Sequence, residues 1–161
     1  MVLVKTSIYV MLTPLAGRDM LRQKRSRLSR VLDHPYFRLA LVTFEVLATI
    51  AGENRFTLYE YFITDKVGHK QDIDLAKVVL QNLASFLRAL LYRVDLARTS
   101  VILTSDHGNI EDLSSRNHTL NDVPTIVWGA HRDQIAGRIK SLADITPAIV
   151  DTLTKKATTY R

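Results

Sequence analysis

From Val101 to Asp112 the chain reads VILTSDHGNIED. Strand-forming residues run directly into Asp106 and His107, with Gly108 behind them. Such an apolar run suits a strand buried on both faces of a parallel sheet. An Asp and a His side by side where the strand stops are either two ligands for a metal or part of a polar loop. The choice between them depends on what the rest of the chain brings to the same place.

Working outward, residues 124–129, PTIVWG, read as another buried strand, reached by a loop from Asp106 to Val123. Upstream, DIDLAKVVLQNLASFLRALLYRV from Asp72 to Val94 reads as a long helix, with Leu75, Val79, Leu83, Phe86 and Leu90 on one face. Before it, FTLYEYFIT is rich in aromatic and β-branched residues and reads as a strand ending at Asp65. Near the end, DITPAIVDTL is a helix start, with Thr146 as cap and Pro147 in the first helical position. From residue 56 the order is strand, helix, strand, loop, strand, helix. That alternation predicts an α/β layered sandwich with a largely parallel sheet, here an incomplete domain. Sites in such sheets collect beyond the carboxyl ends of the strands, where Asp65 lies at one end and Asp106 and His107 at another.

The N-terminal third differs in character. Residues 2–12 suit a strand, and residues 15–34 form a basic amphipathic pattern ended by His34-Pro35. Residues 38–51 predict a second helix with Leu39, Val42, Val46 and Ile50 near helical spacing, broken by Gly52-Glu53-Asn54. The expected division is therefore a basic helical segment over 1–55 and an α/β portion over 56–161. Residues 1–40 carry eight basic and two acidic residues, which is the whole net charge of +6. Without interleaved aromatics this block reads as a solvated helix face or a packing surface, and nucleic acid is not an expected partner.

With 161 residues, 47% hydrophobic and 24% charged, the composition predicts one globular, soluble domain with a sizeable core. No apolar run reaches the roughly 18 residues of a membrane span. The stretch SIYVMLTPLAG is only weakly like a signal-peptide core. The chain has no cysteine, which excludes disulfides and thiolate metal sites and fits a cytoplasmic location.

Of the five histidines, His34 and His131 read as structural or solvated. The other three fall in polar loops at or near strand ends. TDKVGHKQD places Asp65 and His69 four apart around a glycine, SDHGN holds Asp106 and His107, and NHTLNDVP puts His118 just ahead of the next strand. Carboxylate and imidazole donors without thiolates suit Zn²⁺, Mn²⁺ or a similar divalent ion. Two such ions about 4 Å apart serve phosphoryl chemistry by stabilising the attacking and leaving oxygens together.

In this order and spacing, TSDHGN, DKVGH and NHT…VP resemble the C-terminal metal motifs of the alkaline phosphatase superfamily. The nearest likeness is to its cofactor-independent phosphoglycerate mutase and related phosphomutase branch. SLADITPAIVDTL resembles the closing segment of those enzymes, and the likeness covers about residues 56–154. It implies a binuclear metal site with two divalent ions, Mn or Zn. Asp65, His69 and His118 match one site, and Asp106 and His107 match part of the other.

The second site of that superfamily also takes an Asp ending the first strand and a Ser or Thr nucleophile. No Asp follows VLVKTSIYV, and Ser7, Thr13 and Thr43 have no motif around them, so no nucleophile is assigned. The resemblance therefore implies the C-terminal portion of a metal-dependent phosphotransferase or phosphate-ester hydrolase. Its substrate would be a phosphorylated small molecule, and a missing N-terminal segment or complementary chain would complete the centre. Little or no turnover is expected from this chain alone. Arg116 and Lys70 flank the ligands and read as phosphate contacts or as solvated loop charges. The alternative is a non-catalytic remnant that binds a partner through the basic N-terminal helix.

Overall fold

Strand β1 (Ile8–Pro14) lies between two strands that follow it much later in the chain. The computed structural model describes residues 8–14 and 45–154. After β1 come a helix over residues 45–53 (α1), β2 (Thr57–Tyr61), α2 (Ile63–Gly68), α3 (Ile73–Arg93), β3 (Thr99–Ser105), β4 (Ile126–Gly129) and α4 (Arg132–Ala136). A 3-10 turn over Leu142–Asp144 then leads into α5 (Ile145–Thr154). The sheet order is β2-β1-β3-β4.

Among the described residues all three strand pairings are antiparallel, which corrects the expected largely parallel sheet. The reason is topological. β2 and β3 each run against β1, so they point the same way and are joined through α2 and α3, as the alternation suggested. They are not neighbours, because β1 fills the gap between them. Ile8 pairs with both Tyr61 and Ser105, so the carboxyl ends of β2 and β3 share one edge of the sheet. Two strand spacings separate them, about 9.5 Å. β4 runs the other way, with Leu103 opposite Ile126, so its start rather than Trp128 meets that edge.

The layered arrangement holds. On one face, Val101 and Leu103 of β3 pack with Leu83, Phe86 and Leu90 of α3 and with Leu47 and Ala51 of α1. Tyr59 stacks on Phe86 with ring centroids 5.2 Å apart. Burial in this cluster pushes the Tyr59 and Tyr61 hydroxyl pKa values up, with Tyr59 adding to the effect on Tyr61. On the other face, Ile102 packs with Ile135 of α4 and Ile145, Ala148 and Ile149 of α5. Residues pointing to opposite faces of β3 are thus both buried, which is why its centre, Val101 to Leu103, is apolar without alternation.

α3 begins as its sequence predicts. Asp72 caps it by accepting from the Asp74 and Leu75 backbone N–H groups at 3.1 and 2.9 Å. Its buried stripe is Ala76, Val79, Leu83, Phe86 and Leu90. By length and composition this 21-residue helix is also apolar enough to cross a membrane, contrary to expectation, but its stripe is packed on the sheet.

Other boundaries move. The strand expected to end at Asp65 stops at Tyr61, and Asp65 lies in α2. Of PTIVWG, expected as a buried strand, only Ile126–Gly129 form a strand, and it is an outer one with Ile126 exposed. α5 is entered through a capping box of Ser141 and Asp144 rather than through Thr146, which lies inside the helix. The Ser141 hydroxyl and the Lys140 and Ser141 backbone N–H groups all donate to Asp144 Oδ2, so this carboxylate does the work expected of Thr146. In α1 the buried residues are Leu47 and Ala51, one position on from the expected Val46 and Ile50, which are 52% and 43% exposed. The basic pattern over 15–34, with His34, Leu39, Val42, Ser7 and Thr43, lies outside the described residues.

Candidate metal centre

The edge shared by β2 and β3 collects the polar residues singled out in the sequence. α2 follows β2 at once and carries Asp65, with His69 as its C-terminal cap. Asp106 and His107 follow β3. The chain then makes an excursion over residues 106–125 and returns to the same edge at β4, which brings His118 back to where it left. A small apolar cluster of Val67, Ala76 and Val79, with Ile110 and Leu113 against it, ties α2 and α3 to that excursion.

Asp65 Oδ1 lies 3.1 Å from His69 Nε2 and 3.5 Å from His118 Nε2. The His107 and His118 rings stack with centroids 3.6 Å apart, and His69 and His118 are 5.1 Å apart. Asp65, His107 and His118 each offer a ligand atom, and these atoms all lie within 4.8 Å of one another. Asp106, just before His107, is half-buried and its Oδ2 is shielded from solvent.

Two backbone carbonyls set the imidazole tautomers. His69 Nδ1 contacts the carbonyl oxygen of Arg116, and His107 Nδ1 lies 3.0 Å from that of Gly108. A carbonyl only accepts, so Nδ1 carries the proton in both rings and a neutral ring keeps its lone pair on Nε2. This is the usual outer support of a metal-bound histidine. In His107 that Nε2 is buried and has no hydrogen-bond partner among the described residues. In His69 it faces a carboxylate oxygen, an arrangement of two lone pairs that needs a cation between them, either a proton or a metal ion. Two donors about 2.0–2.1 Å from one tetrahedral ion are about 3.3 Å apart, and the 3.1 and 3.5 Å contacts of Asp65 lie on either side of that value. The donor set therefore fits a divalent cation.

Comparison with known proteins agrees with this chemistry. A family description, the Metalloenzyme superfamily, matches residues 38–157. The chain belongs to the Metalloenzyme superfamily. Curated relatives named 2,3-bisphosphoglycerate-independent phosphoglycerate mutase include those of Dinoroseobacter shibae, 27% identical over 86% of this chain and 28% of the relative, and Halobacterium salinarum, 33% identical over 75% and 25%. The relative from Nostoc punctiforme is 30% identical over 87% of this chain and 29% of its own length. The chain thus spans little more than a quarter of the length of these relatives. No solved structure gives a significant match. Membership in this family implies divalent-metal binding.

Several residues at the site carried no signal in the sequence. Asn109 is buried and its Nδ2 donates to Asp65 Oδ1 at 3.3 Å. A Cβ built on Gly68 meets Asn109 Oδ1 at 1.3 Å, so the glycine in DKVGH makes room for that amide. Gln71, in the left-handed region at φ 57°, accepts from Arg116 Nε at 3.0 Å and donates to the Leu113 carbonyl. That engages the Arg116 side chain within the protein, and Lys70 is exposed. His131 caps α4 in the left-handed region at φ 59° and is exposed, away from the cluster. A cavity of about 250 Å³ adjoins the cluster, lined by Asp65, His107, Asn109 and Glu111 among others. Its hydroxyls are engaged: Thr64 with the Tyr61 carbonyl, Thr104 with Thr125, and Ser105 with the His107 carbonyl.

Proposed function

We propose that this chain is the metal-binding portion of a phosphoryl-transfer enzyme of the phosphoglycerate mutase kind. In this reading two divalent ions, Zn²⁺ or Mn²⁺, are held by Asp65, His69 and His118 on one side and by Asp106 and His107 on the other. The observation that carries it is Asp65 Oδ1 lying between two imidazole Nε2 atoms at ligand spacing.

When bound, such ions polarise a phosphoryl oxygen and lower the pKa of a bound hydroxyl or water. The chain's own part is preparation. Nδ1–H groups given to carbonyls turn the Nε2 lone pairs inward, and Asn109 holds Asp65. Leu103, Ile110, Val123 and Pro124 give the adjoining cavity an apolar wall. The substrate class is a phosphorylated small molecule. A further carboxylate and a Ser or Thr nucleophile are taken to come from polypeptide outside the described residues or from a complementary chain. The proposed location is the cytoplasm, and nucleic acid is not among the proposed partners.

Calorimetric titration with Zn²⁺ and Mn²⁺ tests the assignment. Binding near one tight equivalent is expected, with a second weaker one, and His118→Ala should remove the tight phase. Undiminished binding in that variant would take His118 out of the ligand set. A phosphatase and mutase assay with added metal should give little or no turnover, and robust turnover would reveal a nucleophile within this chain. Filter binding to duplex and single strands at about 150 mM salt, near physiological ionic strength, tests the remaining alternative. Salt-sensitive submicromolar affinity would favour a nucleic-acid partner for the basic segment instead.

A further inference from the structure

The carboxylate of Glu111 is not a member of the histidine cluster, yet hydrogen bonds from three other residues converge on it. The Asn109 backbone N–H donates to Oε2 at 2.6 Å, and Thr119 Oγ1 and Asn121 Nδ2 donate to Oε1, the latter at 3.1 Å. These donors come from two separate stretches. Asn109 follows His107 by two residues, and Thr119 follows His118 directly. An isolated antiparallel bridge joins Gly108 to Thr119, with the Thr119 N–H donating to the Gly108 carbonyl at 2.9 Å. A Cβ on Gly108 would sit 2.1 Å from Thr119 Oγ1 and 2.5 Å from Glu111 Oε1, so glycine is what lets the three come together. Burial raises the Glu111 pKa and is outweighed by the hydrogen bonds from Thr119, the backbone and Asn121, which leave it below the ordinary carboxylate value. The group is thus an acceptor-only hub at neutral pH.

We propose that Glu111 is a positioning residue for the metal centre: by tying the backbone after His107 to the backbone after His118, it holds the two imidazoles at stacking distance before any ion arrives. The excursion between β3 and β4 has no regular structure of its own, and a stretch of that kind is costly to order. The Glu111 hub and the Gly108–Thr119 bridge close it to a loop whose two ends carry the two histidines. The function follows the preorganisation logic of outer-shell support, here exerted through the backbone rather than through the imidazole N–H. The proposal rests on the metal reading given above, and its test separates the two.

The test compares wild type, Glu111→Ala and Glu111→Gln in the full chain. Gln keeps an acceptor for Thr119 and Asn121 but sets an amide NH₂ against the Asn109 N–H. Two quantities are read: Zn²⁺ and Mn²⁺ affinity by calorimetry, and the nuclear Overhauser effect between the His107 and His118 ring protons in metal-free protein. For Glu111→Ala the expected result is about 10- to 100-fold weaker metal binding, the range for lost outer-shell partners, with the inter-ring signal gone. Glu111→Gln should fall between Ala and wild type in both. Wild-type affinity and an undiminished inter-ring signal in Glu111→Ala would overturn the proposal. If wild type binds neither ion, the metal reading fails and the inter-ring signal alone decides: its persistence in Glu111→Ala sinks the hub, its loss upholds it. Should the Ala variant not fold, the same two readings on the Gln variant decide, with wild-type values in both overturning the proposal.

Discussion

Asn109 reaches across 44 residues of sequence to donate its amide to Asp65. It joins the loop after β3 to the helix after β2, and it does so by lying over a glycine. Gly68→Ala therefore drives a methyl into the Asn109 amide. The expected cost is about 1–3 kcal/mol, the range for overpacking a filled site, measured by urea denaturation. Metal affinity should fall as well, because Asp65 loses its support. An Ala variant as stable as wild type would mean that Asn109 can swing aside freely.

If the cluster holds a divalent ion, metal must stabilise the folded chain. Zn²⁺ at about 100 times its dissociation constant should add about 2.7 kcal/mol, seen as a rise in thermal midpoint that a chelator reverses. His69→Ala should abolish most of that rise while leaving the metal-free midpoint nearly unchanged, since this ring is exposed and half-solvated. An equal rise in the variant would place the ion elsewhere.

The two faces of the sheet make separate demands on stability. Leu90 and Ile102 are each essentially fully buried, Leu90 on α3 against one face of the sheet and Ile102 on β3 beneath α5 on the other. Leu90→Ala and Ile102→Ala should each cost about 2–5 kcal/mol. They lie on opposite faces, so their effects should nearly add. Val46→Ser, on the exposed side of α1, should change stability by less than about 0.5 kcal/mol. A large loss there would show that the expected stripe, rather than Leu47 and Ala51, faces the core.

Asp144 gives a prediction in pH. Hydrogen bonds from the Lys140 backbone, the Ser141 hydroxyl and the Ser141 backbone hold its carboxyl below the usual 3.8. The folded state therefore binds this proton less readily than the unfolded state. The stabilisation is present above pH 3.8 and is lost as pH falls through the lower folded value. Asp144→Asn should be less stable at neutral pH and show a shallower loss on acidification, measured by thermal melts from pH 7 to about pH 2. Parallel curves for variant and wild type would rule out a role for this cap.

The sequence made the helices and the chemistry legible to different degrees. α3 announced itself through a stripe at helical spacing, a local signal, although its first buried residue is Ala76 rather than Leu75. The grouping of Asp65, His69, His107 and His118 was also readable, because strand ends that point the same way deliver their loops to one edge. The strand partners were not. An apolar run such as VILT records burial on both faces but not the direction of its neighbours, and β1 is far away in sequence. The boundary at Asp65 was missed because Phe62, Ile63 and Thr64 suit a strand by composition, while a short helix starts at Ile63 and packs on α3 through Val67. Asn109, Glu111 and Asn121 were invisible for another reason: a polar loop residue has no periodicity, and its role lies in what it touches.

β1 makes the N-terminal strand the middle of the sheet rather than its border. Its partners lie far along the chain, with Leu12 opposite Thr57 and Ile8 opposite Ser105. Such distant pairings slow folding, because the intervening chain must be ordered before they form. They also mean that the sheet cannot be trimmed from that end. Removal of residues 8–14 would strip the pairing from β2 and β3 together and open two raw edges at once, each a template for another chain. Fibrils or dimers through those edges, rather than a smaller soluble domain, are what proteolysis at the N-terminus should leave behind.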